Sequence, residues 1–219
     1  MTTPPPTEPP AGGESAKLRI FRAAEMLVGE HGFDAVSTRD IVARAGVNVA
    51  AVNYHYGTKT RLLLEIFHTR AAELNRERGR LLRAAVETRP GDARAILRAL
   101  VEPATLWTGD DRRVALRFLN RARHEGPPEV RDTIRTDVRH LRRFVDALAA
   151  ALPALPREEL LWRFHFALGV LHHNQSADYA RLAVLSDDGC VPDDRAALLR
   201  RLVDFIAGGF GLPPEDAAG

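Results

Sequence analysis

The segment from Ser37 to Lys59 constrains the fold of this chain most strongly, because it predicts two short helices joined by a tight turn. Ser37 fits the N-cap of the first helix, and Asp40 three positions later completes a capping-box pattern. Gly46 stands where the chain must leave that helix, and Asn48 fits the N-cap of the second. In a helix-turn-helix of this kind the second helix lies in the major groove of DNA.

The second predicted helix has an outward face without charge, formed by Val49, Ala50, Asn53 and Tyr54. A helix face in water normally carries charged residues, so we expect this face to contact another surface. Asn53 suits a paired contact with adenine, whereas Val49 and Ala50 suit the methyl group of thymine. Such a reader is only lightly specific, and the shape of the DNA would supply the remaining discrimination.

Residues around the turn complete the expected DNA-contacting set. Arg39 is placed to reach a guanine edge or a phosphate, and the alternative is an ordinary solvated arginine. We include Thr38 and Asn48, which stand at the starts of the two helices.

The chain from Ile20 to Phe67 resembles the N-terminal domain of the TetR family of bacterial transcription regulators. The resemblance is carried by residues 32–33, 37–41, 45–47 and 52–59. It implies that Tyr54, His55 and Lys59 contact phosphates, which fixes register without reading sequence. It also implies an all-α homodimer on a double-stranded DNA operator, with repression as the default and a C-terminal domain that binds a small-molecule effector.

The remaining sequence is helical in pattern, without convincing strand alternation, so the expected fold class is all-α. Residues 1–14 are rich in Pro and Gly and predict a disordered tail. We expect a three-helix helix-turn-helix DNA-binding domain over residues 15–61. A larger helical ligand-binding and dimerisation domain should occupy residues 62–214. A long helix over residues 58–88 spans both and is expected to transmit movement between them.

Two late helical segments carry more apolar surface than one chain should cover, and such surface usually marks a partner site. TetR-like proteins pair through their last two long helices, which supports a homodimer; the alternative is that both helices are simply core. The expected interface residues are Leu171, Leu199, Leu202, Val203, Ile206 and Phe210.

Aromatic and polar residues of the second domain suggest a pocket for an apolar or amphipathic effector, although a filled core is the plain alternative. The expected lining is Trp107, Phe118, Arg121, Phe144, Trp162, His165, Phe166 and Gly169. Residues 144–171 also look similar to a TetR subset that includes fatty-acid-responsive regulators, which makes fatty-acyl compounds the first ligands to screen.

Other classes of function are less favoured. The chain has 31 Lys and Arg against 29 Asp and Glu, so attraction for DNA must come from local patches. His165 and His172 stand about 10 Å apart along a helix, too far to share a metal ion. We find no catalytic motif and expect no cofactor; a helical enzyme and a DNA-binding dimer without an effector remain alternatives. The absence of a signal peptide and of a long apolar run predicts a cytoplasmic protein without membrane contact.

Overall fold

A computed structural model describes residues 14–176, 179–190 and 194–214. Of residues 175 and 176 it describes the backbone alone. Within these ranges all regular secondary structure is helical, which confirms the expected all-α class. The predicted tail lies outside the described residues except for Glu14, whose carboxylate pairs with Arg22 at 2.9 Å.

Eleven helices account for the regular structure of the described ranges. They are α1 (Ala16–His31), α2 (Thr38–Ala45), α3 (Val49–Tyr56), α4 (Lys59–Thr88), α5 (Ala93–Leu106), α6 (Asp110–Glu125), α7 (Pro128–Thr136), α8 (Arg139–Ala151), α9 (Arg157–Ser176), α10 (Ala180–Leu185) and α11 (Arg195–Gly209).

The first of two hydrophobic cores joins α1, α2, α3 and the first half of α4. Ile20, Ile41 and Val52 meet Leu62 and Ile66 here, all with almost no exposed surface. The same core takes in α6 through residues 115–122. The DNA-binding helices therefore share a continuous interior with the helix that begins the second half of the chain.

The second core lies among α5, α8, α9 and α11. Helix α5 is its centre and packs against α4 on one side and α11 on the other. Leu97, Leu148 and Leu171 are fully buried there. Helix α4 contributes Leu82 to this core and Leu62 to the first, so one rigid helix crosses both halves of the molecule.

A buried ion pair fixes α1 against α4. Arg70 donates from Nε to Glu25 Oε1 at 2.6 Å and from Nη2 to Glu25 Oε2 at 2.8 Å. Glu25 is only 2% exposed, so burial raises the pKa of its carboxyl while Arg70 opposes that rise. The two-point geometry makes this a charge-assisted contact that sets the angle between the two helices.

Candidate nucleic-acid interface and inner cavity

The turn between α2 and α3 has the geometry that its sequence predicts. Asp40 N donates to Ser37 Oγ at 3.2 Å, and Ser37 N donates to Asp40 Oδ2 at 2.8 Å, which completes the capping box. These hydrogen bonds lower the pKa of the exposed Asp40. Gly46 has φ 62° and ψ 42°, the left-handed conformation that only glycine adopts without strain. Asn48 then caps α3 by accepting from Ala51 N at 2.9 Å.

Helix α3 buries Val52 and Tyr56 and turns its predicted reading side to solvent. Val49, Ala50, Asn53 and Tyr54 are all exposed, and we call these four residues the reading face. Tyr54 is 85% exposed, which is unusual for a large aromatic side chain in a folded chain. The structure thus brings these four predicted residues together on one surface.

The other predicted DNA-contacting residues lie around this face and differ in exposure and in hydrogen bonding. Arg39 is exposed on α2 and Thr38 is half-buried beside it, whereas the Asn48 side chain is already engaged as the cap of α3. His55 is half-buried, with its ring 5.0 Å from that of Tyr54. Arg39 therefore remains an exposed candidate for a base or phosphate contact.

Lys59 holds the helix-turn-helix against the end of α1. Its ammonium donates to the carbonyl oxygen of Phe33 at 2.9 Å, and Tyr56 similarly donates its hydroxyl to the carbonyl of Lys17 at 2.8 Å. An ammonium has three donors, so a phosphate contact by Lys59 is compatible with this bond. Sequence reasoning missed the structural part of its role.

Helices α1 and α6 cross in close contact. A Cβ atom added at Gly29 would lie 3.3 Å from Arg117 Cβ and 3.4 Å from the backbone nitrogen of Phe118. The Phe33 and Phe118 rings are 5.4 Å apart, and Arg121 Nη2 reaches the carbonyl of Glu30 at 3.4 Å. Phe118 and Arg121, predicted to line the pocket, instead form this contact between the two halves.

The structure does not bring the other predicted pocket residues together. Trp107 is buried in the first core and Phe144 in the second, so a single cavity does not join them. Trp162 and Phe166 are 54% and 61% exposed and stack on each other at 5.9 Å between ring centroids. The remaining predicted lining residues, His165 and Gly169, are exposed on the same helix. The pocket expected around these residues was wrong, because the sequence did not show which side of α9 faces inward.

The predicted interface residues are buried, whereas an interface requires exposed residues. Leu171, Leu199, Leu202, Val203, Ile206 and Phe210 are all buried inside the single chain. The large apolar residues that α9 and α11 leave exposed, among the described side chains, are Leu161, Trp162, Phe166 and Phe205, the last of them 71% exposed. We call these four residues the apolar patch. The predicted residues thus lie on the inner faces of α9 and α11, and the exposed large apolar residues lie on the outer faces; the dimer interface stays a prediction.

A cavity of about 200 Å³ lies among α4, α6, α7, α8 and α9, and we call it the inner cavity. Its wall is apolar in part and carries a group of basic and polar side chains. The lining consists of Phe67, His68, Ala71, Ala72, Leu74, Asn75, Arg78, Leu119, Arg123, Thr133, Ile134, Asp137, His140, Leu141, Leu168 and His172.

Burial dominates the electrostatics of this cavity. Burial, followed by the charge of Arg123, lowers the pKa of Arg78 to about 9, and burial lowers that of Arg123 to about 10. Burial also lowers the pKa of His140 to about 4 and that of His172 to about 3, and both arginines add to these shifts. At neutral pH the cavity therefore holds two guanidinium cations and two uncharged imidazoles.

Sequence reasoning missed Arg78, although a signal was present. Leu74, Arg78 and Leu82 stand at intervals of four residues, so Arg78 occupies the inward stripe of α4. An arginine on a buried stripe needs a partner, which makes it a candidate binding residue. His172 also lines the cavity, whereas His173 is exposed. Among the described residues no group of three His, Cys, Asp or Glu side chains is placed to hold a metal ion.

An exposed helix-turn-helix followed by a larger helical domain defines a class of DNA-binding regulators. The family model for the N-terminal domain of the bacterial tetR regulators matches residues 20–66, and the tetracyclin repressor-like C-terminal model matches residues 98–209. The chain belongs to the TetR family. The members of this family are bacterial regulatory proteins. Within the described ranges no helix is long and apolar enough to cross a membrane.

Two curated relatives match parts of the chain. The HTH-type transcriptional dual regulator CecR of Shigella flexneri is 34% identical over 120 residues, covering 50% of this chain and 52% of that protein. An HTH-type transcriptional repressor of Mycobacterium tuberculosis is 39% identical over 79 residues, covering 35% and 42%. The chain thus spans about half the length, or less, of the curated relatives that it matches.

Solved structures resemble the chain over more of its length. A transcriptional regulator from Rhodococcus has a TM-score of 0.61 at 20% identity, covering 89% of this chain and 97% of the other. AmtR of Mycobacterium smegmatis has a TM-score of 0.54 at 22% identity, covering 94% and 100%. At these identities the likeness supports the fold alone.

Proposed function

We propose that this chain forms a homodimer of repressor type, binds a two-fold symmetric operator, and releases it when a small molecule fills the inner cavity. The observation that carries the proposal is the double contact of α6. One part of α6 lines the cavity through Leu119 and Arg123, and another crosses α1 at Gly29. A molecule that displaces α6 therefore acts directly on the core that supports α3.

The reading face supplies sequence discrimination in this proposal. Asn53 offers a donor and an acceptor for an adenine edge, and Val49 and Ala50 offer apolar contact to a thymine methyl group. Tyr54, His55 and Lys59 contact phosphates and set the register of the helix in the groove. Arg39 adds a contact to a base edge or phosphate from α2.

The apolar patch is the proposed dimer interface. Trp162, Phe166 and Phe205 expose large apolar side chains that a single chain leaves in water. Pairing of the same patch on two copies about a two-fold axis buries them, and two-fold dimers are the commonest soluble assemblies. Such a dimer also presents two copies of α3, as a palindromic operator requires.

Coupling follows from the elements that reach both sites. Helix α4 lines the cavity between Phe67 and Arg78, and its first turn follows α3 directly through the Thr58 cap. Movement of α4 and α6 changes the separation of the two recognition helices in the dimer. Each helix must enter a major groove one helical turn from the other, so a shift of a few ångströms makes simultaneous docking costly.

Selection of bound sequences from random duplex DNA tests the operator and the dimer together. We expect an inverted repeat whose half-site centres lie about 34–36 Å apart, or a multiple of that spacing. Phe205→Glu should give a monomer in analytical ultracentrifugation and lose operator affinity, whereas Val86→Glu, on exposed α4 surface, should do neither. A selected site without two-fold symmetry, or a monomer with full affinity, contradicts the proposal.

A further inference from the structure

The chemistry of the inner cavity identifies the class of molecule that it binds, an inference that rests on the proposed function of this cavity as the effector site. Arg78 is its most informative residue. The side chain is 4% exposed, and its Nη2 atom has no hydrogen-bond partner. A buried donor without an acceptor is costly, and more so when it carries charge. In the ligand-free structure the Nη2 donor of Arg78 is therefore available to a ligand that carries an acceptor.

The surroundings of Arg78 hold its guanidinium in place. Its Nε donates to the carbonyl oxygen of Leu100 on α5 at 2.9 Å. One edge of the planar group is thereby anchored, while the Nη2 donor of this cavity-lining residue has no partner. A fixed guanidinium is suited to two-point recognition of a planar anion, because its donors form a rigid fork.

Positive charge exceeds negative charge at the cavity. Arg123 adds a second guanidinium, and its Nη1 donates to Asn120 at 3.2 Å. His140 and His172 are uncharged at neutral pH and can still donate or accept a hydrogen bond. Asp137 is the one carboxylate among the described lining residues; it is exposed and accepts from Arg139 at 3.3 Å. The net charge favours an anion.

The size and the apolar wall define the rest of the molecule. Phe67, Leu119, Ile134 and Leu168 supply apolar lining on several sides. The volume is about 200 Å³, and a cavity of roughly 150 Å³ accommodates benzene. A single ring or a short chain with one acid group fits this space, whereas a long fatty-acyl chain exceeds it.

The route into the cavity is also basic. Ala72, Asn75, Asp137 and His140 line both the inner cavity and a surface cleft of about 1100 Å³, which we call the outer cleft. Seven arginines border the outer cleft, against four carboxylates. The arginines are Arg70, Arg76, Arg80, Arg83, Arg112, Arg139 and Arg143, and the carboxylates are Glu73, Glu77, Asp111 and Asp137. A cleft of one predominant sign concentrates ligands of the opposite sign.

We propose that the inner cavity binds a small organic carboxylate, aromatic or short-chain, whose acid group pairs with Arg78 and Arg123 while its apolar part contacts the wall around Leu119 and Leu168. The same pairing satisfies the unused donor of Arg78. It also bridges α4 and α6, which are the two helices that reach the DNA-binding core.

Calorimetric titration of the full chain without DNA tests the proposal. The probes are benzoate, phenylacetate and hexanoate, each paired with its uncharged amide. At least one acid should bind about 10-fold or more tightly than its amide, since a hydrogen-bonded charge pair is at stake. If no acid exceeds its amide, the proposal fails. Palmitate is the size control, and its binding more tightly than all three acids would overturn the assignment to small molecules.

Variants locate the binding site. Arg78→Met should weaken acid binding about 10- to 100-fold and leave amide binding unchanged. Arg123→Gln should act in the same direction and keeps the test decisive if Arg78→Met does not fold. Arg201→Gln, an exposed arginine of α11 outside both the inner cavity and the outer cleft, is the control and should change affinity less than about 2-fold. Unaltered acid binding in both Arg78→Met and Arg123→Gln would contradict the proposal.

Operator measurements separate this inference from the proposed function. If an acid binds through Arg78 but leaves operator affinity unchanged, the ligand class stands and the coupling fails. If an uncharged molecule releases the operator while acids do not, the regulator function stands and the carboxylate assignment fails.

Discussion

The reading face and the inner cavity distribute charge in opposite ways. The reading face lies on the surface and carries no charge, whereas the inner cavity lies between helices and is lined by two guanidinium groups. Folding alone favours the reverse, with charges outside and apolar groups inside. Tyr54 is 85% exposed, so its ring is not packed against the chain. Arg78 is 4% exposed, and its Nη2 donor has no hydrogen-bond partner. Departures of this kind point to surfaces whose partner is another molecule.

Glu25→Ala gives the largest expected effect, because it converts a satisfied buried charge into an unsatisfied one. Arg70 would lose both Glu25 oxygens and keep its 2.9 Å contact with Glu73 and its place over the Phe21 ring. We expect the free energy of unfolding to fall by about 3–5 kcal/mol. Denaturant unfolding measures this change, with the exposed Glu87→Ala as control. A loss equal to that of the control would show that buried charge costs little in this fold.

Asn53→Ala tests the reading face directly. Removal of the amide should relax preference at one base pair of the half-site, with a loss of discrimination of about 1–3 kcal/mol. Lys59→Ala should instead weaken binding to all sequences alike and lower the salt slope by about one unit. It should also destabilise the chain by about 1 kcal/mol through loss of the Phe33 contact. Competition binding with single-base operator variants separates the two, and a changed base preference in Lys59→Ala would contradict these roles.

Arg78→Met should raise the free energy of unfolding, whereas Glu25→Ala should lower it. Replacing an incompletely satisfied buried guanidinium by an apolar side chain should stabilise the ligand-free protein by about 1–2 kcal/mol, despite loss of the Leu100 contact. Thermal and denaturant unfolding provide the measurement. A destabilisation as large as that of Glu25→Ala would mean that Arg78 is already satisfied and serves structure alone.

The pH dependence of the free energy of unfolding should reflect protonation of the two cavity histidines, His140 and His172. Both folded-state pKa values, about 4 for His140 and about 3 for His172, lie below the ordinary 6.5, so the unfolded chain takes up protons first as pH falls. Stability should therefore be complete above pH 6.5 and decline toward pH 4, by about 1 kcal/mol per histidine after allowance for solvent screening. His140→Gln combined with His172→Gln should flatten this slope, whereas exposed His165→Gln should not. An unchanged slope in the double variant excludes the cavity histidines as its cause.

Local signals made the DNA-binding part predictable from sequence. The Ser37 and Asp40 capping box, the Gly46 turn and the Asn48 cap each depend on residues within a few positions, and the structure contains all three. The overall all-α class followed from periodicity in the same way. The exposure of the reading face also followed, because α3 has only two inward positions, Val52 and Tyr56.

The second part could not be predicted at the level of residues, because its faces are assigned by distant packing. Helix α9 is apolar on several sides, so its sequence does not distinguish buried Leu171 from exposed Phe166. That choice depends on α5, α8 and α11, which pack against it. Arg78 is a related case, since a single arginine between the apolar positions Leu74 and Leu82 does not by itself indicate a cavity. Only the assembled helices show that it faces a cavity.

The most direct test of the central claim is reciprocity between the reading face and the inner cavity. The tightest-binding acid is titrated into the protein with and without its selected operator, and operator affinity is measured with and without saturating acid. A ligand acts on DNA only through its different affinity for the two states of the protein, and the two factors must then be equal. We predict that operator and acid weaken each other by the same factor, between about 5- and 150-fold. Equal affinity for the acid in the presence and absence of operator would contradict the account and leave the C-terminal domain as a dimerisation unit alone.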